Sequence, residues 1–555
     1  MKTPSFLARV PIESPNRSGF DMPYENMFTG RCGTLYPVFV KECLPNETHS
    51  LRLMFEAELP PMVSNFFGRI DLVYEAFFVP NNLLWSGWEH FAMHPTSNPT
   101  YPEGASVAVK PRSIPHINTY GLSGSMGKGS LSDFLGVKSV TVGASQASSP
   151  TFSSLPFLAY HRIWDDWYRN TIVQAPVFFA PNLSVNPRSG AYAPYVSYVI
   201  PGLSDDDADN VGTFNGAPDN KALSPTLGDG VNLLSLRQRN WNLDYFTAAT
   251  PQPQAGGASS ITFNVNVDTA TGDGAGSVTV SAIRQANAIQ KWMERNNLVG
   301  YDYADQVYAQ YGVYPDNRML RKPIYLGRYI EPVYNRSIHQ TSASQAAGKN
   351  PFAVSGEGVG ARFGSSQSNG KGTLFENFKS TDHGFLMVMC SLRPHAYYSS
   401  GNNRMLYRKY IGDVAFPLLS GTGDMAIRQR ELVGDVAIAG DGVFGYIDQY
   451  ADYKTSVDEV HGLLVDGQPL DAFVLQRSFA VSGGSGAPTI SSSFLQIPET
   501  FLDQVKQVTS VPVDYWCSCF FDYKKISPLP VHSVPTLGDL KNAHTEYVRK
   551  GGMRL

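Results

Sequence analysis

Several placements of reactive side chains could carry chemistry. His161 and Asp165 stand four apart in LPFLAYHRIWDDWYRN, Leu155 to Asn170, a spacing that turns two metal donors toward one side of a helix. A third and a fourth donor are missing from the same stretch, and Asp165 with Arg169 also makes an ordinary i,i+4 ion pair, acid first. Cys517 and Cys519 alternate in VDYWCSCFFDY, so both point to one face of a strand. With no second pair and no neighbouring His, they are expected to be buried thiols rather than metal ligands. GDGVFG, Gly440 to Gly445, satisfies G-x-G-x-x-G, but strand-like YIDQYADYK follows where a dinucleotide site needs a helix N-terminus. GLSGSMGKGS, 121–130, has Leu122 where a phosphate loop needs its first Gly, and Gly129 follows Lys128 instead of Ser or Thr. Asp165, Asp166, Asp448 and Asp452 lie among aromatic residues, the mixture used by a carbohydrate-active β-sandwich enzyme or a glycan-binding module. The enzymatic reading requires paired carboxylates in one cleft.

The elements that would hold these groups give a different emphasis. In the stretch at 155–170, Phe157, Tyr160, Trp164, Trp167 and Tyr168 follow i, i+3, i+7, i+10, i+11, one stripe of a helix. Trp164, Trp167 and Tyr168 are therefore candidate packing or interface residues, with ring N–H and O–H groups for polar contacts at the edge. The remaining charges, His161 included, are expected at a subunit boundary. Further helices are predicted over 82–91 and 281–312, the second with Ser281 as a plausible N-cap. Strands are predicted over 34–42, 51–58, 70–79, 383–394, 444–454 and 513–525, where aromatic and β-branched residues concentrate. Gly/Ser/Asp/Asn-rich stretches at 118–130, 202–230, 252–277 and 341–373 read as loops, because they hold too little apolar surface to fold alone.

Strands at both ends with helix-bearing segments between them suggest one β-sandwich over 1–555, not a string of domains. The expected fold is an eight-stranded antiparallel jelly roll, with strands mainly within 30–80 and 375–525 and long helix- and loop-containing insertions within 81–375. A net charge of −4 argues against a protein that works chiefly by neutralising phosphate. Only 17% of residues are charged and 12% are aromatic, which suits a surface covered by copies of the same chain. Five cysteines give no disulfide framework. No apolar run is long enough to cross a bilayer, and the N-terminus has no export-signal core, so the product is expected to be made or assembled in a cytosol. The C-terminal KNAHTEYVRKGGMRL carries Lys541, Arg549, Lys550 and Arg554 against one Glu and could touch phosphate.

In order along the chain stand PNRSGFD, LYPVFVKECLPNET, YEAFFVPNNLLWSGWEHF, LPFLAYHRIWDDWYRN, RNWNLDYFTAATPQPQ, IRQANAIQKWMERN with YADQVYAQYGVYPDNRMLRKPIYLG, HGFLMVMCSLRP and FGYIDQYADYK. With these landmarks the chain resembles the major capsid protein of the Microviridae, small icosahedral single-stranded DNA phages, and most closely the gokushovirus-like branch. The resemblance implies a jelly-roll subunit, present in sixty copies in a T=1 shell around a circular single-stranded DNA genome. It implies a virion protein assembled in the host bacterial cytoplasm, with no catalytic residue, cofactor or metal. The implied partners are further copies of the chain, the packaged DNA, a small basic packaging protein, scaffolding or other virion proteins, and a host receptor. Residues 180–235 are the candidate surface protrusion, with 341–373 as the alternative, and Arg549, Lys550 and Arg554 are the candidate DNA-facing group.

Overall fold

In Thr48–Glu58, THSLRLMFEAE, the apolar Leu51, Leu53, Phe55 and Ala57 stand at every second position, as a sheet with one wet face requires. Ile70–Pro80 and Gly384–Pro394 instead read IDLVYEAFFVP and GFLMVMCSLRP, nearly apolar throughout, as a sheet covered on both faces requires. The fold follows from this difference. In a computed structural model, the chain is described over residues 17–63, 66–84, 88, 116–118, 127–138, 151–177, 231–253, 322–339, 362–420, 423–434, 442–479 and 488–531.

Ten strands build two antiparallel sheets. They are β1 (Ser18–Asp21), β2 (Tyr24–Gly30), β3 (Tyr36–Cys43), β4 (Thr48–Glu58), β5 (Ile70–Pro80), β6 (Ile324–Pro332), β7 (Tyr334–His339), β8 (Arg362–Lys379), β9 (Gly384–Pro394) and β10 (Tyr515–Ser527). One sheet has the order β1–β10–β4–β8–β7, with β2 also paired to β10; the other has the order β3–β9–β5–β6. β1 and β2 act as one bent strand along β10, taking its C-terminal and N-terminal halves in turn. β5 and β9 pair along eleven residues, from Gly384 opposite Pro80 to Pro394 opposite Ile70.

The facing sides of the two sheets form one core. Leu51, Leu53, Phe55 and Ala57 from β4 and Cys517, Cys519, Phe521 and Tyr523 from β10 meet Leu72, Tyr74, Ala76, Leu386, Val388 and Cys390. Cys517 and Cys519 do share a face and are buried free thiols, their sulfurs 3.4 Å apart and each 3.3 Å from the Tyr74 hydroxyl. The other face of the four-stranded sheet, with Phe77, Val79, Phe385, Met387 and Met389, is covered by helix α1 (Leu155–Trp167) and by Leu233 and Leu234. A third cluster, centred on Phe246, Tyr398, Phe444 and Phe494, gathers parts of the segments at 245–249 and 396–495. Mainly antiparallel β structure with few helices is thus what the chain adopts.

Several expectations change. Residues 362–373, within a stretch read as loop, belong to β8, and β6 and β7 also lie inside the range read as insertion. The physical reason lies in the glycines: a Cβ on Gly372 would stand 2.2 Å from the Tyr329 ring, and one on Gly327 would stand 2.1 Å from the Leu374 carbonyl oxygen. These glycines let an aromatic ring and a neighbouring backbone lie directly on the strands, so the low apolar content marks close packing and not a loop. The strand predicted at 444–454 ends early. Val443–Ile447 pairs with Met425–Arg428, then Tyr450 takes φ 62° and the chain turns into a one-turn helix, Ala451–Lys454. Of the helix predicted over 82–91, the turn Asn81–Leu84 and the helical Trp88 are described, and 85–87 and 89–91 lie outside the described residues. The helix at 281–312 and most of the 180–235 block lie outside the described residues, as does 341–361.

If the glycines of β8 admit the Tyr329 ring, Gly372→Val must displace it. We expect a loss of about 1–3 kcal/mol in denaturant unfolding, the usual range for overpacking a filled core. Equal stability of the variant and the parent would show that the ring does not need this space.

Candidate functional site

The helix singled out by its aromatic density is buried almost all round. From Leu155 to Asp165 every side chain except Pro156 is buried, so the single stripe predicted from spacing understates the contact. One side lies on the four-stranded sheet and another meets the irregular segment 233–241. That segment also docks at the entry to β3, where Leu35 N–H donates to the Arg237 carbonyl (2.9 Å) and Arg239 N–H to the Gly33 carbonyl (2.7 Å).

An irregular backbone in the interior needs partners for its polar groups, and the aromatic residues of α1 supply them. The Tyr160 hydroxyl donates to the Leu35 carbonyl (2.9 Å) and accepts from Arg237 N–H (2.7 Å). Trp164, 2% exposed, donates its ring N–H to the Gln238 carbonyl at 2.9 Å, with the Arg237 guanidinium 4.7 Å from its ring centroid. Trp167, at the open end, donates to the Pro323 carbonyl at 3.0 Å and packs on Tyr325 and Phe77. Tyr168 donates to Glu75 at 2.6 Å, and Arg239 binds the same carboxylate at 2.7 Å. Burial alone would raise the pKa of Glu75, but Arg239 outweighs it and holds the carboxyl below its ordinary range.

His161 does not sit at a boundary. It is fully buried, its Nε2 lies 2.8 Å from the Leu233 carbonyl, and its Nδ1 accepts from Arg237 Nε at 2.9 Å. A carbonyl can only accept and a guanidinium N–H can only donate, so these two partners fix the neutral tautomer with the proton on Nε2. Neither ring nitrogen is left to hold a metal. Asp165 accepts from Arg169 and from Val177 N–H, and Asp166 pairs with the buried Arg162 at 2.5 Å. Asp448 pairs with Lys454 and Asp452 with Arg408, in the part of the fold around the third cluster. Each acid proposed for sugar chemistry is thus engaged by a cation. The two acid pairs sit on different hydrophobic clusters, not in a common cleft among the described residues.

One grouping of three metal-type donors occurs among the described residues: Cys43, Glu47 and His49, all buried, with donor atoms within 4.8 Å of one another. Its charges are already balanced. Lys525 Nζ lies 3.1 Å from Glu47, Leu44 N–H donates to the same side chain, and His49 Nδ1 bonds the Tyr523 hydroxyl at 2.8 Å. Burial pushes the Cys43 thiol up to about 12 and His49 down to about 4, leaving one carboxylate opposite one ammonium. The cluster reads as a polar plug closing the β3–β4 turn. The GLSGSMGKGS and GDGVFG stretches are only partly described, and Arg549, Lys550 and Arg554 lie outside the described residues. Sequence reading missed Arg237, Arg239 and Glu75. The available signals were an acid midway along an apolar strand and two arginines flanking Gln238.

The His161 geometry has a sign. Burial, reinforced by Arg237, holds its pKa well below the ordinary 6.5, so below pH 6.5 the unfolded chain binds a proton that the folded chain refuses. Its stabilising contribution is complete above pH 6.5 and is lost as the pH falls. Asp166 acts oppositely, since burial raises it to about 6 and the folded chain binds its proton first. Comparison with His161→Gln, whose amide offers one donor and one acceptor but does not titrate, isolates the histidine. Between pH 7 and 5 the parent should lose more stability than the variant in urea unfolding. Parallel curves would contradict the assignment.

A family model described as Capsid protein (F protein) matches residues 8–537. Three similar curated proteins are each named capsid protein VP1. That of Chlamydia phage 1 is 25% identical, covering 97% of this chain and 99% of the relative. That of Bdellovibrio phage phiMH2K is 23% identical over 95% of this chain and 97% of its own length. That of Spiroplasma virus 4 is 21% identical, with 94% and 95% covered. With a family match spanning nearly the whole sequence, and with a central helix committed to packing, the chain belongs to the capsid protein (F protein) family.

Proposed function

We propose that this phage capsid protein, a structural component of the virion, closes into a T=1 shell of sixty copies around a circular single-stranded DNA genome. The observation that carries the reading is the strand order. Eight strands taken along the chain, β2, β3, β4, β5, β6, β8, β9 and β10, fall into two sets of four. In one sheet the first lies beside the eighth, then the third and the sixth; in the other the second lies beside the seventh, then the fourth and the fifth. Nested antiparallel pairs of this kind support the eight-stranded jelly roll used by viral capsids. β1 and β7 extend the first sheet at its edges.

In this reading α1, with Trp164, Trp167 and Tyr168, is a packing element of the shell layer that stiffens the four-stranded sheet. The 180–235 block is the protrusion that meets a host receptor, with 341–361 as the remaining alternative because 362–373 is strand. The basic tail with Arg549, Lys550 and Arg554 faces the DNA, aided by a small basic packaging protein, which a chain of net charge −4 requires. Scaffolding proteins and the host cytoplasm provide the setting for assembly. Among the described residues, no helix is long and apolar enough to cross a membrane.

Electron microscopy of the chain expressed with its scaffolding partners should show small isometric particles whose reconstruction contains sixty copies. Only monodisperse monomer under those conditions would defeat the proposal. Trp164→Ala should lower subunit stability by about 3–5 kcal/mol and reduce particle yield. Unchanged melting temperature and yield would remove α1 from the shell layer.

A further inference from the structure

The long segment between β9 and β10 contains a strap, Asn403–Ser420, whose apolar side chains point away from its own subunit. Leu418 is 92% exposed, Ile411 80%, Tyr410 76%, Leu406 70% and Met405 59%. Isolated exposed apolar residues are ordinary, but five within fourteen residues, with the half-exposed Phe416 among them, are not. A concentration of large exposed apolar side chains of this kind marks a surface that a partner covers.

The patch is also held in shape before it meets anything. Three short 3-10 turns, Arg404–Tyr407, Ile411–Asp413 and Pro417–Leu419, make up the strap. Asn403 Oδ1 accepts from Met405 N–H at 3.0 Å, and one Asp413 oxygen accepts from Lys409 N–H and Tyr410 N–H, both at 2.9 Å. Arg404 anchors one end to Glu431 (3.0 Å) and to the Ala426 carbonyl (2.8 Å). Arg408 anchors the middle through Asp452 and lies over the Tyr453 ring. The exposed crest thus has little chain entropy left to lose on binding, which distinguishes a prepared contact from a disordered loop.

We infer that this strap is a principal contact with a second copy of the chain in the shell. The inference rests on the capsid reading, which supplies a partner in every particle, and on the chemistry of the crest. DNA would call for basic groups and a glycan for hydrogen-bonding groups around an aromatic face, whereas Leu, Ile and Met crests fit an apolar protein surface. Buried in the assembled shell, the strap supplies the hydrophobic centre of an interface, and its anchored arginines lie toward its own subunit.

The test uses the full chain with its scaffolding partners. The double variant Ile411→Glu with Leu418→Glu should give a soluble subunit of parental melting temperature, because both positions are exposed, and at least tenfold fewer particles. Independently, amide hydrogen exchange at 404–420 should slow at least tenfold in parental particles built from this chain compared with dissociated subunits. Parental particle yield from the double variant, or exchange unchanged by assembly, overturns the strap while leaving the capsid reading intact. A parental chain that forms no particle defeats the capsid reading and the strap with it.

Discussion

A sheet buried on both faces governs this structure. β5 and β9 lie at the centre of the four-stranded sheet, and neither of its faces can be left to water. The six-stranded sheet covers one face with the ordinary alternation of β4 and β10, buried apolar residues inward and a mostly polar outer side that also carries Met54, Phe520 and Ile526. Among the described residues, no sheet covers the second face. Within these same residues it is closed chiefly by α1 and the irregular segment at 233–241, with Leu83, Leu84, Trp88 and Leu131 beside them, and the fold depends on that closure being as tight as the first.

The closure sets a problem that a helix alone does not solve. Side chains of α1 can fill the space above Phe77 and Met387, but the segment 233–241 brings unpaired carbonyl and N–H groups into the same interior. Tyr160, His161 and Trp164 resolve it because each combines a large apolar body with one polar atom. Leucines at these positions would fill the volume and leave Leu35, Leu233 and Gln238 carbonyls without partners, each at a cost of about 1–3 kcal/mol. Glu75 and Arg239 extend the same logic into the sheet: a carboxylate midway along an apolar strand is tolerable only because Tyr168 and Arg239 both reach it. The low overall charge of the chain is consistent with this use of charge, in which several ion pairs hold the interior and do not decorate the surface.

What could be read from the sequence follows the same physics. Strands with strong periodicity or unbroken apolar runs, β3, β4, β5, β9 and β10, were legible because burial on one or two faces writes itself into spacing. α1 was legible as a helix, although its spacing suggested a single stripe and concealed that most of its circumference is buried. β8 was not legible, since its glycines record the Tyr329 ring of a strand distant in sequence. His161 was misplaced for a related reason: a histidine's partners here are a backbone carbonyl and an arginine more than seventy residues away, and no local pattern encodes them. The strap at 403–420 was invisible as a surface because YIGDVAFPLLS has the composition of a core segment. Only the fold shows which side of those residues is covered.

The form of the strap bears on how a shell closes. A free strand edge would also offer attachment, but its ladder of N–H and C=O groups accepts any strand in any register and favours open-ended growth. The strap has its backbone turned inward on itself: Lys409, Tyr410 and Met405 N–H groups are satisfied within the segment, as is the Pro417 carbonyl, which accepts from the Ser420 hydroxyl. Recognition is then left to side chains of defined shape on fixed turns, and these fit in few orientations. A contact of that kind limits the angle between neighbouring copies, and a fixed angle is what converts association into a closed particle of one size instead of an aggregate.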